Sequence, residues 1–147
     1  MINLPNQYYG IDPRIQFLIS NISIYISKLL EISIKKDSGE KIKKVDVSNL
    51  LNSLLECTNT LSNILEIDEK KFIQVNNSIE NTTLEKMDNS SMISFVIMMA
   101  MISGKLLEAE NNFHFAECNK TKLSESIIEE LIYINLIIKR IKKVFGF

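Results

Sequence analysis

Four glutamates have the type and spacing for chemistry. Glu108 and Glu110 close one apolar segment, and Glu125 and Glu129 open the next. Glu125 and Glu129 are four residues apart, so on a helix they share a face. Carboxylates directed inward from two opposed helices supply the oxygen ligands that Mg²⁺ takes in octahedral geometry. The same acids also fit an ordinary solvated face that complements the helix dipole. Other chemistries lack their residues. The chain of 147 residues has one histidine, two cysteines and four glycines. His114 has no second histidine for a metal site, and no serine or cysteine lies in a nucleophile motif. Between Phe113 and Phe115 it reads as a surface or packing residue. Four scattered glycines leave no loop to cradle a phosphate. Cys57 and Cys118 form no Cys-x-x-Cys pair and read as free, reduced thiols, with Cys57 a small buried hydrophobe beside an apolar stripe. No residue is assigned as catalytic.

The elements that must hold these residues are helices. Both prolines, Pro5 and Pro13, lie in the first thirteen residues, so the rest is free of the strongest helix breaker. Asp12-Pro13 predicts a helix start, with Asp12 as cap. Ile15, Leu18, Ile19, Ile22, Tyr25, Ile26, Leu29 and Leu30 follow at helical spacing. Lys35 to Lys44 reads as a loop containing Ser38-Gly39. Asp46 or Ser48 caps a second helix striped by Leu50, Leu51, Leu54, Leu55, Leu61, Ile64 and Leu65. Asp68 caps a shorter third. Asp88-Asn89-Ser90 caps a fourth, apolar nearly all round from Met92 to Ile102, which predicts a central helix. Asn111 to Thr121 reads as a polar connection, and a fifth helix runs from about Ser124 to Val144. The expected fold is all-α: a single domain over 1–147, a helical bundle of two helix-loop-helix hairpins joined by a shorter helix.

The hairpins resemble one another. Lys28-Leu29-Leu30-Glu31 returns as Lys105-Leu106-Leu107-Glu108, an offset of 77. Leu50, Leu51, Leu54, Leu55, Leu61 and Ile64 align with Ile127, Ile128, Leu131, Ile132, Ile138 and Ile141 at the same offset. This suggests an internal repeat of 12–67 and 90–144. Two Ile-rich hairpins could also align this well without common descent.

The stretch Leu106-Leu107-Glu108-Ala109-Glu110, a loop, and Glu129-Glu130-Leu131-Ile132-Tyr133 resembles the MazG-like all-α nucleoside triphosphate pyrophosphohydrolases. The likeness covers about the last 55 residues and, more loosely, the first hairpin. That family carries paired glutamates on one helix and Glu-x-x-Asp on the next, which bind magnesium and the substrate's phosphates. The resemblance implies a Mg²⁺-dependent pyrophosphohydrolase with Glu108, Glu110, Glu125 and Glu129 as ligands. This chain departs from the pattern. Tyr133 stands three after Glu130, where the family has aspartate, and a spacing of two points Glu108 and Glu110 apart. These departures imply a MazG-like protein that has lost activity.

Composition bounds the partners. Lys plus Arg is 17 against 18 Asp plus Glu, so the chain lacks the basic surplus of a nucleic-acid binder, and none is expected as a ligand. The N-terminal residues lack a signal-peptide pattern, and the longest apolar run, Met92 to Ser103, is about twelve residues against the roughly 20 of a span. A cytoplasmic protein with no transmembrane segment is expected. Met92, Met98, Met99 and Met101 cluster on the all-round apolar helix. Methionine fills core gaps and lines adaptable interfaces. Such a helix needs more cover than a small bundle provides, so these methionines are the candidate subunit interface. The basic tail Lys139 to Phe147 fits either a helix C-terminus or an anionic surface. The leading expectation is a non-catalytic helical interaction or regulatory module that needs no cofactor. It is expected to be homodimeric and open to another protein partner. The alternative is the Mg²⁺-dependent enzyme.

Overall fold

A stripe stepping alternately by four and three residues runs down every long helix, and the stripe decides what is buried. The computed structural model describes residues 13–80, 91–115 and 120–147. The described residues form five helices and no strand, an all-α bundle. They are α1 (Arg14–Asp37), α2 (Lys44–Ile64), α3 (Glu69–Glu80), α4 (Met92–Phe115) and α5 (Lys120–Phe145). Helix α1 buries Ile15, Ile19, Ile22, Ile26, Leu29 and Ser33. Helix α2 buries Val47, Leu51, Leu54, Cys57, Thr58 and Leu61. Helix α4 buries Met92, Val96, Met99, Ser103, Leu106 and Glu110 on the equivalent stripe, with Phe95 and Ile102 beside it. Helix α5 buries Ile127, Ile128, Leu131, Ile134, Asn135, Ile138 and Ile141 on its stripe, and Leu123, Ile132, Leu136 and Ile137 beside it, because it also carries α3.

The four long helices close a ring. Helix α1 packs on α2 and α4, and α5 packs on α4 and α2, while α3 rests on α5. Helices α2 and α5 are antiparallel. The Ser124 hydroxyl near the start of α5 donates to the Leu65 carbonyl at the end of α2 (2.9 Å), and Lys142 near the end of α5 donates to Asn52 Oδ1 (2.7 Å). The Phe95 ring, early in α4, meets the Phe145 ring, last in α5, edge to face at 6.0 Å. Shifting the six buried positions of α1 by 77 gives Met92, Val96, Met99, Ser103, Leu106 and Glu110, all of them buried. The same shift takes five of the six in α2 onto buried positions of α5, with Val47 falling on half-buried Ser124. An offset of 77 is a whole number of heptads, so the stripe keeps its phase. Lys36, late in α1, and Phe95, early in α4, both meet the Phe145 ring, so α1 and α4 are antiparallel as α2 and α5 are. This is the layout of an internal two-fold axis.

Three helices end in the same hydrogen-bonded turn, which requires a left-handed residue just past the cap. In α1 it is Gly39 (φ 84°), with Glu40 N donating to Lys35 O at 3.0 Å. In α5 it is Gly146 (φ 73°), with Phe147 N donating to Lys142 O at 3.0 Å. In α2 it is Glu66 (φ 54°), with Ile67 N donating to Ser62 O at 3.1 Å. Asp68 then caps α3 as the sequence predicts, accepting from Lys70 N at 3.0 Å.

Several boundaries differ from the sequence expectation. Helix α1 runs to Asp37, three residues into the expected loop. Helix α2 starts at Lys44 without a side-chain cap, and Asp46 sits in its first turn, where it complements the dipole. Helix α4 extends five residues into the expected connection, to Phe115, and α5 begins at Lys120, before the connection's expected end. The expected caps Asp12, Asp88, Asn89 and Ser90, and Cys118, lie outside the described residues. Helix α4 is not central; it occupies one corner of the ring.

The expectation of no transmembrane segment is overturned. Arg14–Asp37 (24 residues) and Met92–Asn112 (21 residues) are both long and apolar enough to cross a membrane by length and composition. The sequence criterion counted uninterrupted apolar residues, whereas these helices scatter single polar residues through an apolar average. Within the bundle only 28% and 33% of the two apolar windows are buried, so much of each faces outward.

A left-handed residue with a side chain costs about 1–2 kcal/mol that glycine avoids. Glu66→Gly is expected to raise stability by roughly 1 kcal/mol, seen as a higher urea midpoint at unchanged slope. A lower midpoint would contradict the strain at this turn.

Candidate functional site

The four candidate metal ligands do not share a site. Glu108 lies exposed on the outward side of α4, while Glu110 is turned inward and only 6% exposed. Two helical residues subtend about 200°, which is why they part. Glu125 and Glu129 are both exposed on α5. Among the described residues no group of three or more His, Cys, Asp or Glu could hold a metal ion. Glu125 lines a shallow cleft of about 200 Å³ with Glu66, Asp68, Lys71 and Ser124. Small-molecule sites occupy roughly 300–1,000 Å³, so the cleft is undersized for a nucleotide. Beside it in sequence, Glu130 Oε2 is buried without a hydrogen-bond partner. His114 falls in the last turn of α4, inside the helix rather than in a connection.

The candidate interface methionines divide by helical phase. Met92 and Met99 are buried in the core, at 1% and 0% exposure, and are not available to a partner. They sit on the same inward stripe as Val96 and Ser103, so residue type alone misplaces them. Met98 is partly buried against the core, and Met101 is 69% exposed.

What the structure brings together is an outer face on the adjacent helices α1 and α4. Phe17 and Ile24 stand out from α1, and Ile97 and Met101 from α4. Ile24 and Met101 are counterparts at the offset of 77. So are the exposed pairs Lys28 and Lys105, and Glu31 and Glu108. Beneath this face the hydroxyls of Ser23 and Ser103 are 2.6 Å apart and tie α1 to α4. On the other side of the ring, the Thr58 hydroxyl is 2.5 Å from Asn135 Oδ1 and 3.0 Å from Leu55 O, and shares its single proton between them. Thr58 and Asn135 are also counterparts at 77. Sequence reading assigned neither residue a role. Counting the heptad phase through polar positions would have found both.

The aromatic end of the basic tail is used within the fold. Phe145 packs on Phe95 and carries Lys36 Nζ at 5.2 Å from its ring centre, and Phe147 is partly buried. Set against family models, curated proteins and solved structures, the chain has no match.

Cys57 is a free thiol, 8% exposed, on the core side of α2. Burial pushes its ionisation up, and the neighbouring Glu56 carboxylate adds to the effect. The unfolded thiol ionises first, from about pH 8.5. The protonated thiol therefore contributes stability at neutral pH that is lost as pH rises above that value. Native Cys57 is expected to alkylate slowly at pH 8 and rapidly in urea, and Cys57→Ala to flatten the stability loss above pH 8.5. Equal native and unfolded alkylation rates, read peptide by peptide, would contradict this.

Proposed function

We propose that the protein is a non-catalytic helical interaction module that binds a protein partner through the outer face of α1 and α4. The observation that carries this reading is the exposure of Phe17, Ile24, Ile97 and Met101 on two adjacent helices. Single exposed apolar residues are ordinary, whereas here four of them fall on one pair of adjacent helices. Among the described residues, the remaining large exposed apolar side chains are Ile34 and Leu107 on the same two helices, with Val45 and Ile73 elsewhere. The outward stripe also carries Lys28, Glu31, Lys105 and Glu108, which suit the polar rim of such a face. The separated carboxylates fit a MazG-like scaffold that has given up catalysis.

A photo-crosslinking amino acid placed at Met101 tests this in the producing cell. Position 45, at 59% exposure against 69% for Met101, is the control. Protein adducts are expected from position 101 and not from position 45. Lipid adducts alone, or equal labelling from both positions, would contradict the reading.

A further inference from the structure

We propose that the occupant of the outer face is a second copy of this chain, docked face to face so that the internal two-fold axes of the two copies line up. The inference rests on the interaction-module reading and names its partner.

The centre of the face maps onto itself, whereas Phe17 and Ile97 fall on the half-buried serines Ser94 and Ser20. The axis that exchanges the hairpins takes Ile24 to Met101, Lys28 to Lys105 and Glu31 to Glu108, all exposed. An asymmetric partner would meet the repeated central positions and use one set of them. A second copy presents the same repeated pattern and engages both halves at once, as an isologous interface requires.

Charge favours the same occupant. The repeated outward positions hold two lysines and two glutamates, so copies can face each other with opposite charges opposed and no net repulsion. An anionic membrane surface would instead select a cationic surplus.

The area suffices. Each of α1 and α4 has 24 residues. At 1.5 Å per residue and about 10 Å per helix, the pair offers roughly 700 Å² a side, or about 1,400 Å² in total. Stable interfaces bury about 1,200–2,000 Å².

Sedimentation equilibrium of the purified full chain across micromolar concentrations tests the proposal. The wild type is expected to dimerise. Ile24→Glu and Met101→Glu should each weaken the dimer by about 100-fold and by similar factors, because each puts a charge at the interface centre. Val45→Glu should leave the dimer intact. Circular dichroism checks that each variant keeps its helices, and the milder Met101→Gln should weaken the dimer less. A dimer indifferent to both glutamates would overturn the proposal. A wild-type monomer whose position 101 still crosslinks another protein would overturn the second copy and leave the module reading standing. A monomer that binds phosphatidylcholine–phosphatidylglycerol vesicles through this face would overturn both.

Discussion

The register between α2 and α5 depends on a buried polar contact, Thr58 on Asn135. Apolar heptads can slide past one another by a whole repeat and still bury oil against oil. A hydroxyl and an amide in the same core resist this, because a slip leaves the Asn135 amide without its Thr58 partner at a cost of about 1–3 kcal/mol, while Thr58 keeps its bond to Leu55 O. A polar residue at a heptad core position is the established way to select one register. Here it selects the register in which Ser124 reaches the Leu65 carbonyl and Lys142 reaches Asn52. Helices α1 and α4 are then carried into place by their own hairpins, where Ser23 and Ser103 make a second polar tie.

Once the inward stripe is set, the outward one follows. Met99 points in because it lies seven residues from Met92 and three from Val96, and Met101 then points out. The same rotation separates Glu108 from Glu110 and leaves Glu125 and Glu129 in solvent. The geometry that makes a well-packed ring thus dissolves the acidic cluster and assembles an apolar outer face. Exposed Ile24 and Met101 are consequences of phase, as much as the buried Ile22 and Met99 beside them.

The helices and their order were readable from apolar spacing, because the spacing is what the core demands. Boundaries were less so. Asn111 and Asn112 look like a loop by composition, yet α4 continues through them because the helix is held by packing at Leu106 and Glu110 just before. The polar core residues Ser33, Thr58, Ser103 and Asn135 were invisible to a reading that collected apolar letters alone. The left-handed turn at Glu66 gave no signal, since glycine usually marks it. The outer face was half visible. Its methionines share a residue type, which does not separate buried Met92 and Met99 from exposed Met101, and α1 and α4 are apolar on average rather than in one unbroken run.

The equivalence of the two hairpins can be tested by exchanging the axial pair. Thr58→Asn combined with Asn135→Thr puts each residue in its counterpart's place. If the hairpins are interchangeable about the axis, the exchanged chain regains its hydrogen bond and unfolds within about 1 kcal/mol of wild type. Under the same account, Thr58→Val alone strands the Asn135 amide and costs about 1–3 kcal/mol. An exchanged chain that loses as much stability as Thr58→Val, or more, would contradict the internal two-fold packing of the hairpins.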